Sequence, residues 1–170
     1  FIITDEHQIK EFVRGKRVLV TGTGGSCGFE LCRQISRYRP ANLYLLDRDE
    51  SGLHAVQLTL DWTGTLDPKC LMIADIRDQA RILKNFDEVR PELVFHSAAL
   101  KHLPFLGKYP HEAYMANVLG PRNVILTAEE SGTRAFFNIS KDKAADPTSA
   151  LGFSKLITER LTAGVSEPGD

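Results

Sequence analysis

The chain has 170 residues, of which 42% are hydrophobic, and a formal net charge of −1. This length and composition fit one globular domain with a substantial core and argue against disorder. The near-neutral balance, with basic residues scattered along the chain, predicts no nucleic-acid partner and no attraction to a membrane surface.

The cysteines and the apolar runs bear on the compartment. Cys27, Cys32 and Cys70 form neither a disulfide framework nor a metal-ligand spacing, so we expect a reduced, cytoplasmic protein without a metal site. Cys27 and Cys32 are interpreted as small apolar packing residues. No apolar run reaches the length of a membrane span. The sequence begins with Phe1 rather than methionine, so we expect it to be part of a longer product. A membrane anchor upstream in that product is an open alternative.

The first elements are a lead-in segment over residues 1–14 and then a strand, a glycine turn and a helix. Apolar and β-branched residues 18–21 predict a buried strand, and a helical pattern begins near Phe29. Between them lie the glycines at positions 22, 24, 25 and 28. Glycine lets the backbone approach a pyrophosphate closely, and the following helix N-terminus faces the anion. This order is typical of a dinucleotide site. A glycine-rich turn that binds nothing is the alternative.

A second strand over residues 42–46 ends at an acidic residue. Asp47 lies 19 residues after Gly28, which is the usual distance of the carboxylate that accepts hydrogen bonds from an adenosine ribose. This favours NAD, because a 2′-phosphate would meet a negative charge. The neighbouring Arg48 could hold that phosphate, so NADP remains the alternative. The alternative is that Asp47 binds no ligand and is a solvated aspartate at the end of a strand.

The rest of the chain continues the alternation of strands and helices. A helix is predicted over 49–60, capped by Asp49 or Ser51, and is followed by a strand over 70–74 and a helix capped by Asp78. Next come a strand over 92–96 and a long helix over 111–131, which Pro121 kinks or restarts. The last predicted elements are a strand over 135–139 and a helix over 150–163. This pattern predicts an α/β fold, a Rossmann-like doubly wound parallel sheet with strand order 3-2-1-4-5 over residues 15–170.

Five polar or glycine-containing clusters fall at one edge of this predicted sheet. They are residues 22–28, Asp47, Asp75, residues 97–101 and residues 140–143. Ligands of such sheets bind at the carboxyl ends of the strands, near the point where strands 1 and 4 diverge. The sequence therefore predicts one site along this edge. His96 and His102 are interpreted as packing or rim residues rather than catalysts.

Six motifs resemble a known family. They are TGTGGSCGFELCRQI, LLDRDE, ADIRD, VFHSAALKHLP, ANVLGPRNV and ISKDKAADPTSALGFSK. They look like the bacterial polysaccharide-biosynthesis dehydratases, which are extended short-chain dehydrogenase/reductases acting as UDP-N-acetylglucosamine 4,6-dehydratases. The resemblance covers roughly residues 15–163. It implies that bound NAD(P) takes a hydride from C4 of a nucleotide sugar and returns it at C6 after water is lost.

The resemblance assigns roles by position. The implied cofactor-binding residues are Gly22, Gly24, Gly25, Ser26, Cys27, Gly28, Asp47, Arg48, Asp75, Ile76, Ser97, Ala98, Ala99, Lys101, Asn117, Ser140 and Lys155. Asp142 would protonate the departing C6 oxygen, and Lys143 would take the C5 proton, which the C4 ketone makes acidic. Lys155 would bind the nicotinamide ribose and hold nearby groups in their working protonation states. A plain surface ion pair is the alternative for Asp142 and Lys143.

The chain departs from the family in three ways. Lys141 stands where the family usually has threonine, and Leu151 stands where many relatives have tyrosine or methionine. The nearest aromatic residue, Phe153, has no hydroxyl, so the base for oxidation at C4 is unassigned. The substrate-binding carboxyl-terminal part of the family is also largely missing.

Three readings of function therefore compete. The first is a UDP-sugar 4,6-dehydratase that forms a homo-oligomer, with a UDP-sugar 4-epimerase as a close variant. The second is a cofactor-binding module without turnover, and the third is a purely structural interaction protein. The third is the weakest, because it leaves the residues along the predicted site edge unexplained.

Overall fold

The structure, a computed structural model, describes residues 6–61, 67–140 and 149–166. Its strands are β1 (Arg17–Thr21), β2 (Asn42–Asp47), β3 (Leu71–Ile73), β4 (Leu93–His96) and β5 (Ala135–Asn138). Its helices are α1 (Glu6–Val13), α2 (Ser26–Arg37), α3 (Glu50–Asp61), α4 (Gln79–Val89), α5 (Leu103–Lys108), α6 (Pro110–Tyr114), α7 (Gly120–Glu130) and α8 (Ala150–Ser166). A short 3₁₀ turn (Pro68–Cys70) precedes β3.

The five strands form one parallel sheet in the order β3-β2-β1-β4-β5, which confirms the predicted topology. Successive side chains of a strand point to opposite faces, so the central strand contributes to two core layers. Val18 and Val20 of β1 pack with Cys32 on one face. Leu19 packs with Phe86 on the other face. Helices cover both faces, and the carboxyl ends of β1 and β4 meet in the middle of one sheet edge.

Helix α1 packs against this core. Val13 of α1 is buried with β1, and Ile9 and Phe12 pack against the same cluster. The predicted caps are also present: the Asp49 carboxylate accepts from the Ser51 amide, and the Asp78 carboxylate accepts from the Arg81 amide. The division between the lead-in and the main domain at residue 14 stays a prediction.

The predicted long helix over 111–131 restarts at Pro121, which lies in the first turn of α7, and this is one of the two alternatives that the sequence left open. A π turn (Met115–Leu119) separates α6 from α7, and the Gly120 amide donates to the Met115 carbonyl. Proline has no amide hydrogen, so Pro121 cannot bond the carbonyl of Asn117 four residues earlier. The Thr158 hydroxyl of α8 donates to that carbonyl instead. The wider turn is therefore stabilised by a contact from a distant helix.

Two further differences from the sequence-based expectation are local. Helix α5 was not predicted, because Leu106 is its only buried residue and no helical apolar period marks it. The third strand is shorter than predicted, since Asp67 and Pro68 begin a 3₁₀ turn that runs to Cys70. Within the described ranges, no helix has both the length and the apolar character needed to cross a membrane.

Candidate functional site

Two adjoining cavities of about 260 Å³ each lie at the carboxyl ends of the strands. The loop cavity is lined by Gly22, Gly24, Gly25, Leu46, Asp47, Arg48, Asp49, Ala74, Asp75, Ile76, Arg77, Ser97, Ala98, Ala99, Leu100 and Ala116. The lysine cavity is lined by Gly25, Ser26, Cys27, Gly28, Ser97, Ala99, Lys101, His102, Ile139, Leu151 and Lys155. Gly25, Ser97 and Ala99 line both, so the two cavities are parts of one cleft.

Two glycines of the loop are required by backbone packing. A Cβ on Gly28 would lie 2.1 Å from the Gly22 carbonyl oxygen, and one on Gly22 would lie 2.4 Å from the Ala98 nitrogen. Gly22 also has a φ of +76°, which L side chains rarely adopt. These two positions would need glycine whether or not a ligand binds.

Gly25 differs from these two glycines. A Cβ there would meet only the Gly22 carbonyl oxygen, at an ordinary 3.4 Å, and the Gly25 φ of −78° suits any residue. Gly25 is nonetheless exposed and lines both cavities. Neither packing nor conformation explains glycine at this position, whereas close approach of a ligand to bare backbone does.

Helix α2 begins at Ser26, with Gly25 as its N-cap, and its first turn lines the lysine cavity. No side chain in the described part of the chain caps this end. The amides of a first helical turn have no acceptor within the helix, and the helix dipole favours negative charge there. Lys101, whose ammonium lies 3.4 Å from the Ser26 hydroxyl, adds a positive charge. The arrangement suits an anion such as a pyrophosphate.

Asp47 lies at the end of β2 and lines the loop cavity. Its Oδ2 accepts from the Gly24 amide at 2.8 Å, and its Oδ1 accepts from the Asp49 amide at 3.0 Å. Each carboxylate oxygen has a second lone pair that could accept from another donor. The carboxylate is thus held in place by the backbone and suits a neutral ligand with paired hydroxyls.

An ion-pair network forms the far wall of the loop cavity. Arg77 donates to the Asp75 carboxylate from Nε at 3.0 Å and from Nη2 at 2.7 Å, and its Nη1 lies 3.2 Å from Glu112. Arg48 approaches the same Asp75 carboxylate at 3.4 Å. The hydrogen bond from Arg77 lowers the pKa of Asp75 to about 2. Asp75 is therefore charged at neutral pH and attracts the Arg48 guanidinium.

The floor of the cleft joins β1 to β4. The Thr21 hydroxyl lies 2.7 Å from His96 Nδ1, and the Ser97 hydroxyl donates to the Thr21 carbonyl at 2.8 Å. His96 is 2% exposed, and its ring stacks on Phe136. Burial, together with the positive charge of Lys155, lowers the pKa of His96 to about 3. His96 is thus a neutral packing residue, as expected.

Asn117 holds the segment after β4 from behind. Its side chain accepts from the Leu100 amide at 2.8 Å and donates to the Leu100 carbonyl at 3.0 Å and to the Ser154 hydroxyl at 3.2 Å. Asn117 is buried and lines neither cavity. It supports the site by connecting the wall of the loop cavity to α8, which carries Lys155.

The lysine cavity is lined by the ionisable side chains of Lys101, His102 and Lys155 and by the apolar side chain of Leu151. Lys155 and Leu151 lie on its wall, one helical turn apart on α8. Leu151 is buried with Leu106 and Ala113, so the position where many relatives have a phenol is part of an apolar cluster here. Cys27 is exposed in this cavity, so its expected packing role is wrong, whereas Cys32 is fully buried and does pack in the core.

Fifteen of the predicted site residues line the cleft, namely Gly22, Gly24, Gly25, Ser26, Cys27, Gly28, Asp47, Arg48, Asp75, Ile76, Ser97, Ala98, Ala99, Lys101 and Lys155. Asn117 lies behind it. Ser140 lines neither cavity, and its hydroxyl donates to Glu159. Asp142, Lys143 and the departure at Lys141 lie outside the described residues. The roles assigned to all of these residues stay predictions.

The sequence-based reading missed Arg77 and treated Asp49 only as a cap. Both line the loop cavity, and Arg77 connects Asp75 to Glu112. Asp49 lies in the loop after β2 and Arg77 in the loop after β3, at the carboxyl edge of the sheet, and this position is the signal that could have identified them. In the described ranges, no three His, Cys, Asp or Glu side chains come together as metal ligands.

Comparison with known proteins identifies relatives over most of the chain. The family described as polysaccharide biosynthesis protein matches residues 18–169. The capsular polysaccharide biosynthesis protein CapD of Staphylococcus aureus is 38% identical over 160 residues, which are 94% of this chain and 27% of CapD. An inverting UDP-N-acetylglucosamine 4,6-dehydratase of Campylobacter jejuni is 30% identical over 86% of this chain and 42% of its own length. A UDP-glucose 4-epimerase of Rickettsia conorii is 32% identical over 91% and 46%, respectively.

Solved structures share the fold. Pen from Bacillus thuringiensis superimposes with a TM-score of 0.82 at 28% identity, over 91% of this chain and 46% of Pen. WbmG from Bordetella bronchiseptica, solved with NAD and UDP, superimposes with a TM-score of 0.76 at 22% identity, over 90% and 51%. The chain spans about a quarter of CapD and less than half of the other curated relatives. By the match over residues 18–169, it belongs to the family of polysaccharide biosynthesis proteins, as the six motifs predicted.

Proposed function

We propose that the cleft binds NAD, and that this chain is the cofactor-binding part of a nucleotide-sugar 4,6-dehydratase of the UDP-N-acetylglucosamine type. The observation that carries the proposal is Gly25, a glycine without a packing or conformational reason, which lies where the two cavities join. The names of the relatives support it, since they include UDP-N-acetylglucosamine 4,6-dehydratases, and WbmG was solved with NAD and UDP.

The residues of the cleft fit the parts of a dinucleotide. The first turn of α2 and Lys101 would hold the pyrophosphate, and the Asp47 carboxylate would accept hydrogen bonds from the adenosine ribose. Lys155 would bind the nicotinamide ribose. When bound, NAD supplies a hydride acceptor for C4 of the sugar and returns the hydride at C6.

The proton transfers would fall to two residues outside the described ranges. In the proposed reaction Asp142 protonates the C6 oxygen as it leaves, and Lys143 takes the proton from C5. Both lie between β5 and α8 in the sequence, and these elements bring Ile139 and Lys155 to the wall of the lysine cavity. That connection supports placing the chemistry at this end of the cleft.

NAD is preferred over NADP in this proposal. A 2′-phosphate at the end of β2 would lie beside the Asp47 carboxylate, which the Gly24 and Asp49 amides hold in place. Arg48, the residue that could neutralise the phosphate, approaches Asp75 instead. Titration of the chain with NAD and with NADP, at one ionic strength, compares the two affinities. Tighter binding of NADP would contradict the preference.

A cofactor-binding module without turnover is the second candidate, and Leu151 favours it. Its aliphatic side chain cannot accept a proton, so position 151 does not supply the phenol that would assist oxidation at C4. Both the 4,6-dehydratase and the 4-epimerase reactions begin with oxidation at C4, so the residue at position 151 does not distinguish between them, and a relative carries the epimerase name. A Leu151→Tyr variant that gains a 4-keto product only in the presence of NAD would show that the hydroxyl was the missing group.

The proposal is tested first by binding and then by turnover. We expect the chain to bind NAD with saturation, measured by calorimetry or by quenching of nicotinamide fluorescence with NADH. Incubation with UDP-N-acetylglucosamine and NAD, followed by mass spectrometry, then tests for a product lighter by one water. Binding without product would favour the module, and no binding by the folded chain would overturn both candidates. The predicted homo-oligomer is checked by sedimentation, and the predicted cytoplasmic location by fractionation of cells.

A further inference from the structure

The backbone of Gly24 is held on two sides. Its amide donates to Asp47 Oδ2 at 2.8 Å. On the other side lies the first turn of α3, where a Cβ on Gly52 would be only 2.8 Å from the Gly24 Cα. A Cβ on Gly24 would be 3.0 Å from the Gly52 Cα. The glycine loop and α3 therefore touch backbone to backbone.

The backbone conformation of Gly52 does not require glycine. Gly52 lies within α3, and its φ is not positive, unlike that of Gly22. Glycine is also a poor helix former. The contact with Gly24 is thus the feature that excludes a larger residue. A Cβ on Gly52 would also approach the Asp49 carboxylate at 3.0 Å, but that side chain can move, whereas the Gly24 backbone cannot move without displacing the loop.

We propose that Gly52 is a positioning residue for the cofactor loop: its missing side chain lets α3 support Gly24 and so sets where Gly25 lies in the cleft. The inference rests on the proposed binding of NAD. Gly25 follows Gly24 directly and lines both cavities, so a shift of Gly24 carries the bare backbone away from the dinucleotide. Binding sites lose much of their affinity when their groups move by a fraction of an ångström to one ångström.

The test is a Gly52→Ala variant of the full chain, titrated with NAD. We expect the affinity to fall on the order of tenfold, because the Cβ displaces the loop. Gly164→Ala is the matched control, since Gly164 also lies in a helix and a Cβ there meets nothing within 4 Å. Its affinity for NAD should equal that of the unchanged chain.

Amide hydrogen exchange separates positioning from a general loss of structure. In Gly52→Ala the Gly24 amide should exchange faster, because its bond to Asp47 is disturbed. The Leu53 amide, which donates to the Asp49 carbonyl within the first turn of α3, should keep its protection. The reciprocal Gly24→Ala change combined with Gly52→Ala should give a non-additive loss of affinity, because the two positions are in contact.

Each outcome decides the matter. Unchanged NAD affinity in Gly52→Ala, with binding by the unchanged chain, would overturn this inference and leave the proposed function intact. Failure of the unchanged chain to bind NAD would overturn both. A Gly52→Ala chain that does not fold, or additive effects of the two changes, would also overturn the inference, because the contact would then not act by placing the loop.

Discussion

The two cavities of the cleft are built in different ways. The wall of the loop cavity is held by contacts within the chain, such as the ion pair of Asp75 with Arg77 and the hydrogen bond from the Gly24 amide to Asp47. The lysine cavity is lined by longer side chains, including Lys101, Lys155 and Leu151, and its predicted acid and base lie outside the described residues. We therefore expect the proposed binding of a dinucleotide to depend mainly on the loop cavity, and any turnover to depend on groups at the other end of the cleft.

The loop between β1 and α2 lines both cavities, and a substitution next to it should have the largest effect on stability. Gly28→Ala should lower the free energy of unfolding by about 3 kcal/mol, because the Cβ would meet the Gly22 carbonyl oxygen at 2.1 Å. Urea unfolding followed by circular dichroism measures this. Gly107→Ala, where a Cβ meets nothing within 4 Å, is the control and should change stability little. Equal effects of the two changes would contradict the close packing of the loop.

Acid should weaken the floor of the cleft through His96. Its pKa falls from 6.5 to about 3 in the folded chain, so below pH 6.5 the unfolded chain binds a proton that the folded chain does not. The free energy of unfolding should therefore decrease as pH falls through this window, with a slope approaching about 1.4 kcal/mol per pH unit. Urea unfolding at several pH values measures the slope.

A His96→Gln variant should flatten this dependence on pH, since it removes the titrating group. The exposed His54 offers a matched control, and His54→Gln should leave the slope as it is. If His96→Gln and the unchanged chain lose stability in parallel between pH 6.5 and 5, His96 is not the group responsible.

Gly25→Ala should separate binding from folding. The Cβ meets only an ordinary contact within the chain, so stability should stay within about 0.5 kcal/mol of the original value. NAD affinity should nevertheless fall roughly tenfold, because the Cβ lies in the cleft where the bare backbone is needed. Calorimetric titration beside a melting curve measures both quantities. Unchanged affinity would remove the main support for the dinucleotide site.

The smallest expected effect concerns only the loop cavity. Arg77→Ala removes the hydrogen bonds that hold Asp75, so the pKa of Asp75 should rise from about 2 toward 3.8. NAD affinity should fall by roughly threefold, since the wall of the cavity loses its connection to Glu112. Carboxyl NMR shifts and titration provide the measurements. Lys84→Ala, which removes an exposed positive charge on α4, should change neither. A change in turnover without any change in NAD affinity would contradict the expectation that Arg77 acts through the loop cavity.

Much of the site could be predicted because parallel strands bring their carboxyl ends together regardless of loop detail. Asp47, Asp75 and Ser97 follow three different strands and lie in one cavity as predicted. The place of Arg77 at the carboxyl edge of the sheet could have been predicted, but its pairing with Glu112 of α6, 35 positions away, is revealed by no local pattern. The packing role expected for Cys27 was also wrong. A small residue near the start of a helix suggests packing, but Cys27 is exposed because it lines the cleft.

The sequence by itself determined the alternation of strands and helices, the strand order and the edge of the sheet on which the site lies. These features follow from the local order of apolar runs, glycines and capping aspartates, through their periodicity and the handedness of βαβ units. Only the tertiary structure decided why glycine stands at positions 25, 28 and 52. At Gly28 a side chain would collide with the Gly22 carbonyl oxygen, and at Gly52 it would collide with the Gly24 backbone. At Gly25 no such collision within the chain requires glycine. Such distinctions depend on distances between residues far apart in the chain, and those distances exist only once the chain is folded.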